Sequence, residues 1–168
     1  MAATARPAQS VMGGMAPFRV PPAPTAVTGF YNPAQRQQGA EVYEQRCSTC
    51  HGDRGQGLTP EWRATWPEGE QNCWQSKCHA ANHPPDGFRL PEYVPPVIGG
   101  TSLARFHTAP QLFAYLRARM PYHAPGILSD EDYWALTAFL LDAHRVPAAG
   151  QSLDATSAAA IQLKPAPQ

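Results

Sequence analysis

Two cysteines and a histidine lie within five consecutive residues, in the order Cys47-Ser48-Thr49-Cys50-His51. Two thiols at this spacing can each add to one vinyl group of the same porphyrin. A histidine directly after the second cysteine is then placed beneath the iron. A bare C-x-x-C also occurs in redox dithiols and in half of a zinc site, but the adjacent histidine favours the porphyrin. The motif therefore predicts attachment of a c-type haem.

Further short motifs accompany this one in a fixed order along the chain. They are Gly39 with Tyr43, then the C-x-x-C-H motif with Gly52, then Pro95-Pro96-Val97-Ile98-Gly99, then Leu112 to Met120-Pro121, then Leu128 to Glu131 leading into Ala138-Phe139-Leu140. Through these motifs, the segment 32–146 resembles a class I cytochrome c domain. The resemblance implies an all-α fold with one covalently bound haem c that transfers single electrons.

The resemblance also implies a role for each residue around the iron. Cys47 and Cys50 form the thioethers, and His51 is the proximal ligand. Met120 is the sixth ligand, because a Met-Pro pair after a helix is where this family presents its axial sulfur, and Met is the usual partner in electron-carrying c haems. The carbonyl of Pro95 accepts the Nδ1 proton of His51, which fixes the imidazole and raises its basicity.

Three helices are expected in the part that resembles the family. The first begins with Asn32 as N-cap and Pro33 at the first helical position, and runs to about residue 46. The second starts at Thr108-Ala109-Pro110 and ends at Met120-Pro121; the third starts at Ser129 and ends near residue 143 or 144. The family resemblance places Gly39 and Tyr43 of the first helix against Phe139 of the third.

Three segments fall outside these helices. Residues 1–31 are Pro-rich and are expected to form an extended arm that lies along a partner protein. Residues 53–94 form a long irregular insertion with three Trp, and a loop of this length is usually functional or pinned. Residues 147–168 are expected to form a second extended arm on the surface.

The insertion contains a second cysteine pair, in the sequence Cys73-Trp74-Gln75-Ser76-Lys77-Cys78-His79. It fits three chemistries. A disulfide between the two thiols would staple the insertion, and it is favoured because the class I pattern needs only one haem. A lengthened attachment motif would carry a second haem c on His79. Four cysteines together, including the earlier pair, would form a zinc site.

Composition limits the partners and the location. Lys and Arg number 13, as do Asp and Glu, so the zero formal charge argues against nucleic acid and against strong long-range steering. No stretch approaches the roughly 20 apolar residues of a membrane span, and no leader-like apolar run is visible near the N-terminus. Covalent haem attachment, as the resemblance implies, places the protein outside the cytoplasm, on the periplasmic side.

We therefore expect an electron carrier and not an enzyme in its own right. The neutral charge and long arms favour a fixed subunit of a membrane-associated, quinol-oxidising respiratory or photosynthetic complex. The arrangement resembles the monohaem cytochrome subunit of bacterial alternative complex III, whose partners are the other subunits and redox donor and acceptor proteins. The alternatives are a dihaem redox enzyme and a soluble, diffusible cytochrome c.

Overall fold

The computed structural model describes residues 30–147 and 150–163, which are helical and irregular and contain no β-strand beyond one isolated bridge between Thr108 and Gln162. The α-helices are α1 (Pro33–Arg46), α2 (Ser48–His51), α3 (Pro60–Arg63), α4 (Ala109–Arg119) and α5 (Asp130–Ala143), and 3-10 turns span Glu68–Glu70 and Ser157–Ala160. The predicted all-α fold class is confirmed. The expected N-terminal arm lies outside the described residues, except for its last two.

The three long helices begin at the caps that the sequence predicts. The side chain of Asn32 accepts a hydrogen bond from the Gln35 amide at 2.8 Å. Ser129 Oγ accepts one from the Asp132 amide at 3.0 Å, and Thr108 caps α4 in the same way. Each cap satisfies an amide that has no partner within its own helix.

Helix α1 crosses α5 at a glycine. Gly39 is buried, and a Cβ atom added to it would overlap the carbonyl oxygen of Ala135 and lie 2.9 Å from the Cβ of Phe139. One turn later, the rings of Tyr43 and Phe139 pack with their centroids 5.1 Å apart. The contact expected between Gly39, Tyr43 and Phe139 is therefore present, and it needs the missing side chain at residue 39.

Helix α5 supplies the largest share of the core and is buried on nearly every side. Its buried residues are Tyr133, Trp134, Ala135, Leu136, Thr137, Ala138, Leu140 and Leu141. Helix α4 adds Leu112 and Leu116, and Phe113 stacks on Trp134 at 3.9 Å. These side chains form an apolar face of α4, which packs between α5 and the cavity described below.

The segment that follows α5 enters the core. Leu153, Ala158 and Ile161 are fully buried. The side-chain amide of Gln35 pairs with both backbone groups of Leu153 at 2.8 Å, and the Ala109 amide donates to the carbonyl of Ile161 at 3.2 Å. This segment ties α1 to the start of α4, so part of the expected surface arm is buried more deeply than predicted.

The insertion is irregular, as predicted, and it is pinned by tryptophans. Its buried residues Leu58, Cys73 and Leu90 form a second, smaller cluster. Trp62 Nε1 donates to the carbonyl of Thr49 at 3.2 Å, which attaches the insertion to α2.

In the described part of the chain, none of the helices has the length and apolar character needed to cross a membrane.

Replacing Gly39 with alanine tests the close approach of α1 to α5. The new Cβ would overlap backbone that cannot rotate away, so we expect a loss of about 1–3 kcal/mol in the free energy of unfolding. Urea denaturation of the haem-loaded protein measures it. The matched control is Gly69→Ala, where the added Cβ meets nothing within 4 Å. Equal midpoints for the two variants would contradict the packing argument.

Candidate cofactor site

A large cavity of about 1250 Å³ opens between α2, α4, α5 and the segment 90–106. Its walls are mainly apolar. They include Val97, Ile98, Leu103, Phe106, Leu112, Leu116, Leu136 and Leu140. The space is large enough for a porphyrin, because pockets for single small ligands usually measure about 300–1000 Å³.

The structure brings the first four predicted site residues to this one cavity. Cys47, Cys50, His51 and Met120 all line it, although 73 positions separate the first from the last. Cys47 is the N-cap of α2, Cys50 and His51 lie within α2, and Met120 is the C-cap of α4. Two thiols, one imidazole and one thioether therefore share an apolar space.

The motif folds as a short helical turn that is held against α1. The His51 amide donates to the carbonyl of Cys47 at 2.9 Å, and Gly52 ends the turn with a positive φ of 83°. The buried hydroxyl of Tyr43 donates to the carbonyl of Gly52 at 2.7 Å. This bond fixes the end of the motif to the helix that packs on α5.

The imidazole of His51 is oriented by one backbone carbonyl. Its Nδ1 lies 3.0 Å from the carbonyl oxygen of Pro95, the residue predicted for this role. Since a carbonyl can only accept, Nδ1 carries the proton and Nε2 keeps the lone pair that a metal needs. Burial lowers the pKa of His51, with the Pro95 contact acting in the opposite direction, and the neutral form is the one that binds a metal.

Backbone hydrogen bonds hold the Pro95 loop beside the motif. The amides of Val97 and Ile98 both donate to the carbonyl of Gly55, at 2.8 and 3.1 Å, and the Gly57 amide donates to the carbonyl of His51 at 2.7 Å. Both glycines have positive φ, which a side chain would disfavour. The glycine-rich turn after His51 thus places the Pro95 carbonyl against the ring.

A buried tyrosine holds the loop that begins at Met120. The Tyr133 hydroxyl donates to the carbonyl of Met120 at 2.7 Å and accepts from the Gly126 amide at 3.0 Å. No role at the site was predicted for Tyr133 from the sequence. A tyrosine in a buried helix indicates that its hydroxyl needs a hydrogen-bond partner. The sequence does not indicate which residue that partner is.

The comparison with known families identifies the cofactor of the chain. Residues 34–140 match the model of the cytochrome c family described as "Cytochrome C oxidase, cbb3-type, subunit III". The chain belongs to this family of c-type cytochrome domains. It binds haem c covalently and transfers electrons, which confirms the class I cytochrome c resemblance and the predicted cofactor.

Two solved structures are similar to this cytochrome. Sulfane dehydrogenase SoxCD from Paracoccus pantotrophus matches at 20% identity and a TM-score of 0.45 over 80% of this chain. Thiosulfate dehydrogenase (TsdBA) from Marichromatium purpuratum matches at 23% identity and a TM-score of 0.32 over 67% of this chain. The cytochrome spans 55% and 20% of those chains. No curated protein matches it.

The side chains of the cavity fit a haem. Burial raises the pKa of Cys47 to about 12, and it also raises the pKa of Cys50, so both thiols are neutral against the apolar walls. At the rim, the Arg105 guanidinium lies over the rings of Tyr115 and Phe106, at 4.1 and 4.8 Å. It offers a cation for the carboxylates of a haem. Sequence reasoning missed Arg105.

The second cysteine pair of the cytochrome lies outside the cavity lining. Cys73 is buried, Cys78 is half-buried, and both are free thiols, so the predicted disulfide is not confirmed. His79 does line the cavity. Within the described residues, no three or more His, Cys, Asp or Glu side chains are placed to hold a metal ion, which opposes the four-cysteine zinc site.

Replacing Tyr133 with phenylalanine tests the anchoring of the Met120 loop. The change leaves the Met120 carbonyl and the Gly126 amide without their partner. We therefore expect the free energy of unfolding to fall by about 1–3 kcal/mol. Guanidinium denaturation of the haem-loaded protein measures this loss. Tyr122→Phe is the matched control, because Tyr122 is half-exposed and its hydroxyl makes no hydrogen bond within the described residues. Similar stability of the two variants would rule out the anchor.

Proposed function

We propose that this cytochrome carries single electrons on a haem c that is joined to Cys47 and Cys50 and ligated by His51 and Met120. One observation supports the assignment above the others. All four side chains line the same apolar cavity, and the Pro95 carbonyl leaves the Nε2 of His51 free to bind iron. The bound haem supplies an iron that changes its charge by one unit without making or breaking a bond in a substrate.

The protein groups then set how readily that change occurs. A thioether sulfur opposite a histidine raises the reduction potential relative to a second histidine. The leucines of α4 and α5 exclude water, which disfavours added charge in the cavity. The bond from Tyr133 keeps the Met120 loop in place, so the sulfur does not have to be ordered when the oxidation state changes. If His51 and Met120 both bound the iron, no coordination position would remain for a substrate.

Replacing Met120 tests its assignment to the iron. Met120→His should lower the midpoint potential by an amount on the order of 100 mV, since axial ligands tune haem potentials over about 0.8 V. Met120→Leu should leave a coordination position open, and the reduced protein should then bind carbon monoxide. Spectroelectrochemical titration and CO difference spectra provide the readouts. Two variants with unchanged potential and no CO binding would mean that Met120 is not a ligand.

We further propose a division of the chain into an arm (1–31), the haem domain (32–146) and a tail (147–168), with the haem domain on the periplasmic side. The protein then acts as a fixed subunit of a membrane-associated, quinol-oxidising complex. Support comes from the zero formal charge, which provides no long-range steering of a free shuttle. Tyr93 and Ile127 are also exposed, at 71% and 61%, and can serve as apolar contacts. The arrangement resembles the monohaem cytochrome subunit of bacterial alternative complex III.

Purification of the tagged, full-length chain from its native membranes tests this membership. We expect it to co-purify with other redox subunits in mild detergent, and the preparation to oxidise quinol. A variant without residues 1–29 should retain its haem and appear in the soluble fraction. Recovery of the full-length chain as a soluble monomer would instead support the diffusible carrier.

A further inference from the structure

The insertion folds back on itself between its two cysteines. The His79 amide donates to the carbonyl of Cys73 at 3.0 Å, and the bend between them passes through Lys77, which has a positive φ of 64°. This bond keeps the Cα atoms of Cys73 and Cys78 within roughly 8 Å of each other, from standard backbone dimensions. A disulfide needs a Cα separation of about 4.4–6.8 Å. The turn therefore brings the two cysteines to, or close to, the separation that a disulfide requires.

The two thiols differ in exposure and lie within electrostatic range of each other. Cys73 is buried in the small cluster with Leu58 and Leu90. Cys78 is half-buried, and its sulfur accepts a hydrogen bond from Gln75 Nε2 at 3.4 Å. Burial raises the pKa of Cys73, and a charge on Cys78 would raise that pKa further. The more accessible thiol is thus the one that a reagent from solution meets first.

The surroundings of the pair offer it no cofactor. Neither Cys73 nor Cys78 lines the cavity assigned to the haem, although His79 does. Within the residues that the structure describes, no three His, Cys, Asp or Glu side chains are placed to hold a metal ion. Of the three chemistries that the spacing allows, a bond between the two sulfurs is the one that these surroundings favour.

We propose that Cys73 and Cys78 form a disulfide that closes the insertion beside the haem cavity. This bond goes beyond electron transfer and does not depend on which residues bind the iron. It rests on the periplasmic location proposed above, because disulfides persist in oxidising compartments. Both thiols are reduced in the structure, so the Cys78 side chain has to turn from Gln75 towards Cys73 for the bond to form.

The oxidation needs a partner of defined chemistry, namely a protein disulfide that acts as a thiol oxidant. The Cys78 thiolate attacks one sulfur of that disulfide, and a mixed disulfide forms as the first oxidant thiolate leaves. The Cys73 thiolate then attacks the Cys78 sulfur and releases the second. One S–S bond forms in this chain and one is lost from the oxidant, which takes up two electrons and the two protons of the thiols.

The bond would hold one wall of the cavity in place. His79 directly follows Cys78, its Nδ1 lies 3.1 Å from the carbonyl oxygen of Phe88, and both rings line the cavity. The buried cluster beneath them contains only Leu58, Cys73 and Leu90, so it contributes little burial to this part of the chain. A covalent link restricts the unfolded insertion and thereby keeps His79 and Phe88 at the wall.

Trypsin tests the bond, because its site at Lys77 lies between the two cysteines. The haem-loaded protein is denatured with a thiol-alkylating reagent and then digested without reductant. Complete digestion gives peptide 47–54, which holds the whole haem motif, and peptides 64–77 and 78–89, which hold one insertion cysteine each. We expect 64–77 and 78–89 to be joined, lighter than their sum by two hydrogen atoms, and to separate when a reductant is added.

The other results of this digest overturn the disulfide. Two separate, alkylated peptides would show that the thiols stay reduced. A link from 64–77 to 47–54 would show that Cys73 pairs with a cysteine of the haem motif instead. The proposed function has its own readout in the same digest, since it requires haem on both cysteines of 47–54, whatever the insertion peptides carry.

A double variant tests what the bond does. Three of the four tryptophans lie in the insertion, so tryptophan fluorescence in urea follows its unfolding while the Soret band follows the haem. Cys73→Ser with Cys78→Ser should lower the fluorescence midpoint, and wild-type protein in reductant should match it. Ser76→Ala in the same turn is the matched control and should keep the wild-type midpoint. An unchanged midpoint in the double variant would overturn the stabilising role, and the wild-type digest decides the bond even where the variant does not fold.

Discussion

The close approach of α1 to α5 at Gly39 determines where both proposed axial ligands lie. Helix α1 leads directly into the haem motif, and its Tyr43 holds the end of that motif through the Gly52 carbonyl. Helix α5 carries Tyr133, which holds the Met120 loop. The separation of His51 from Met120 is therefore set by two helices that contain neither residue. A side chain at Gly39 would push these helices apart and disturb both sides of the cavity at once.

The thiols and the imidazole of the haem motif are neutral in the cavity. Burial raises the pKa values of Cys47 and Cys50 and lowers that of His51, so neither the thiols nor the imidazole carries charge near pH 7. An ionised group in this space would be costly to bury and would shift the potential of the iron. With these groups neutral, we expect the proposed ligands His51 and Met120 and the rim cation Arg105 to be main influences on that potential.

Local chemistry was predictable from the sequence, and long-range contacts were not. Asn32, Thr108 and Ser129 each satisfy an amide three residues away, so their helices could be placed from the sequence alone. Leu153 pairs with Gln35 across 118 positions, and the Ala- and Ser-rich sequence around it gives no sign of burial. The C-x-x-C-H motif indicated its cofactor because few chemistries need that pattern. The spacing of Cys73 and Cys78 is compatible with a disulfide, a haem attachment or a zinc site. Only the three-dimensional surroundings of the two thiols can distinguish these alternatives.

The insertion changes the surface that a redox partner meets. Extending a loop costs little in closure entropy, because each doubling of its length adds only about 0.6 kcal/mol. The length of the insertion therefore does not explain why the insertion has a defined structure. The order comes from specific contacts: Trp62 bonds to Thr49 inside the haem motif, and Trp74 Nε1 bonds to the Pro91 carbonyl at 3.2 Å. These contacts cover the Cys50 side of the motif with indole rings and bring His79 to the cavity. The insertion is therefore held against the haem motif by these specific contacts and not by its length.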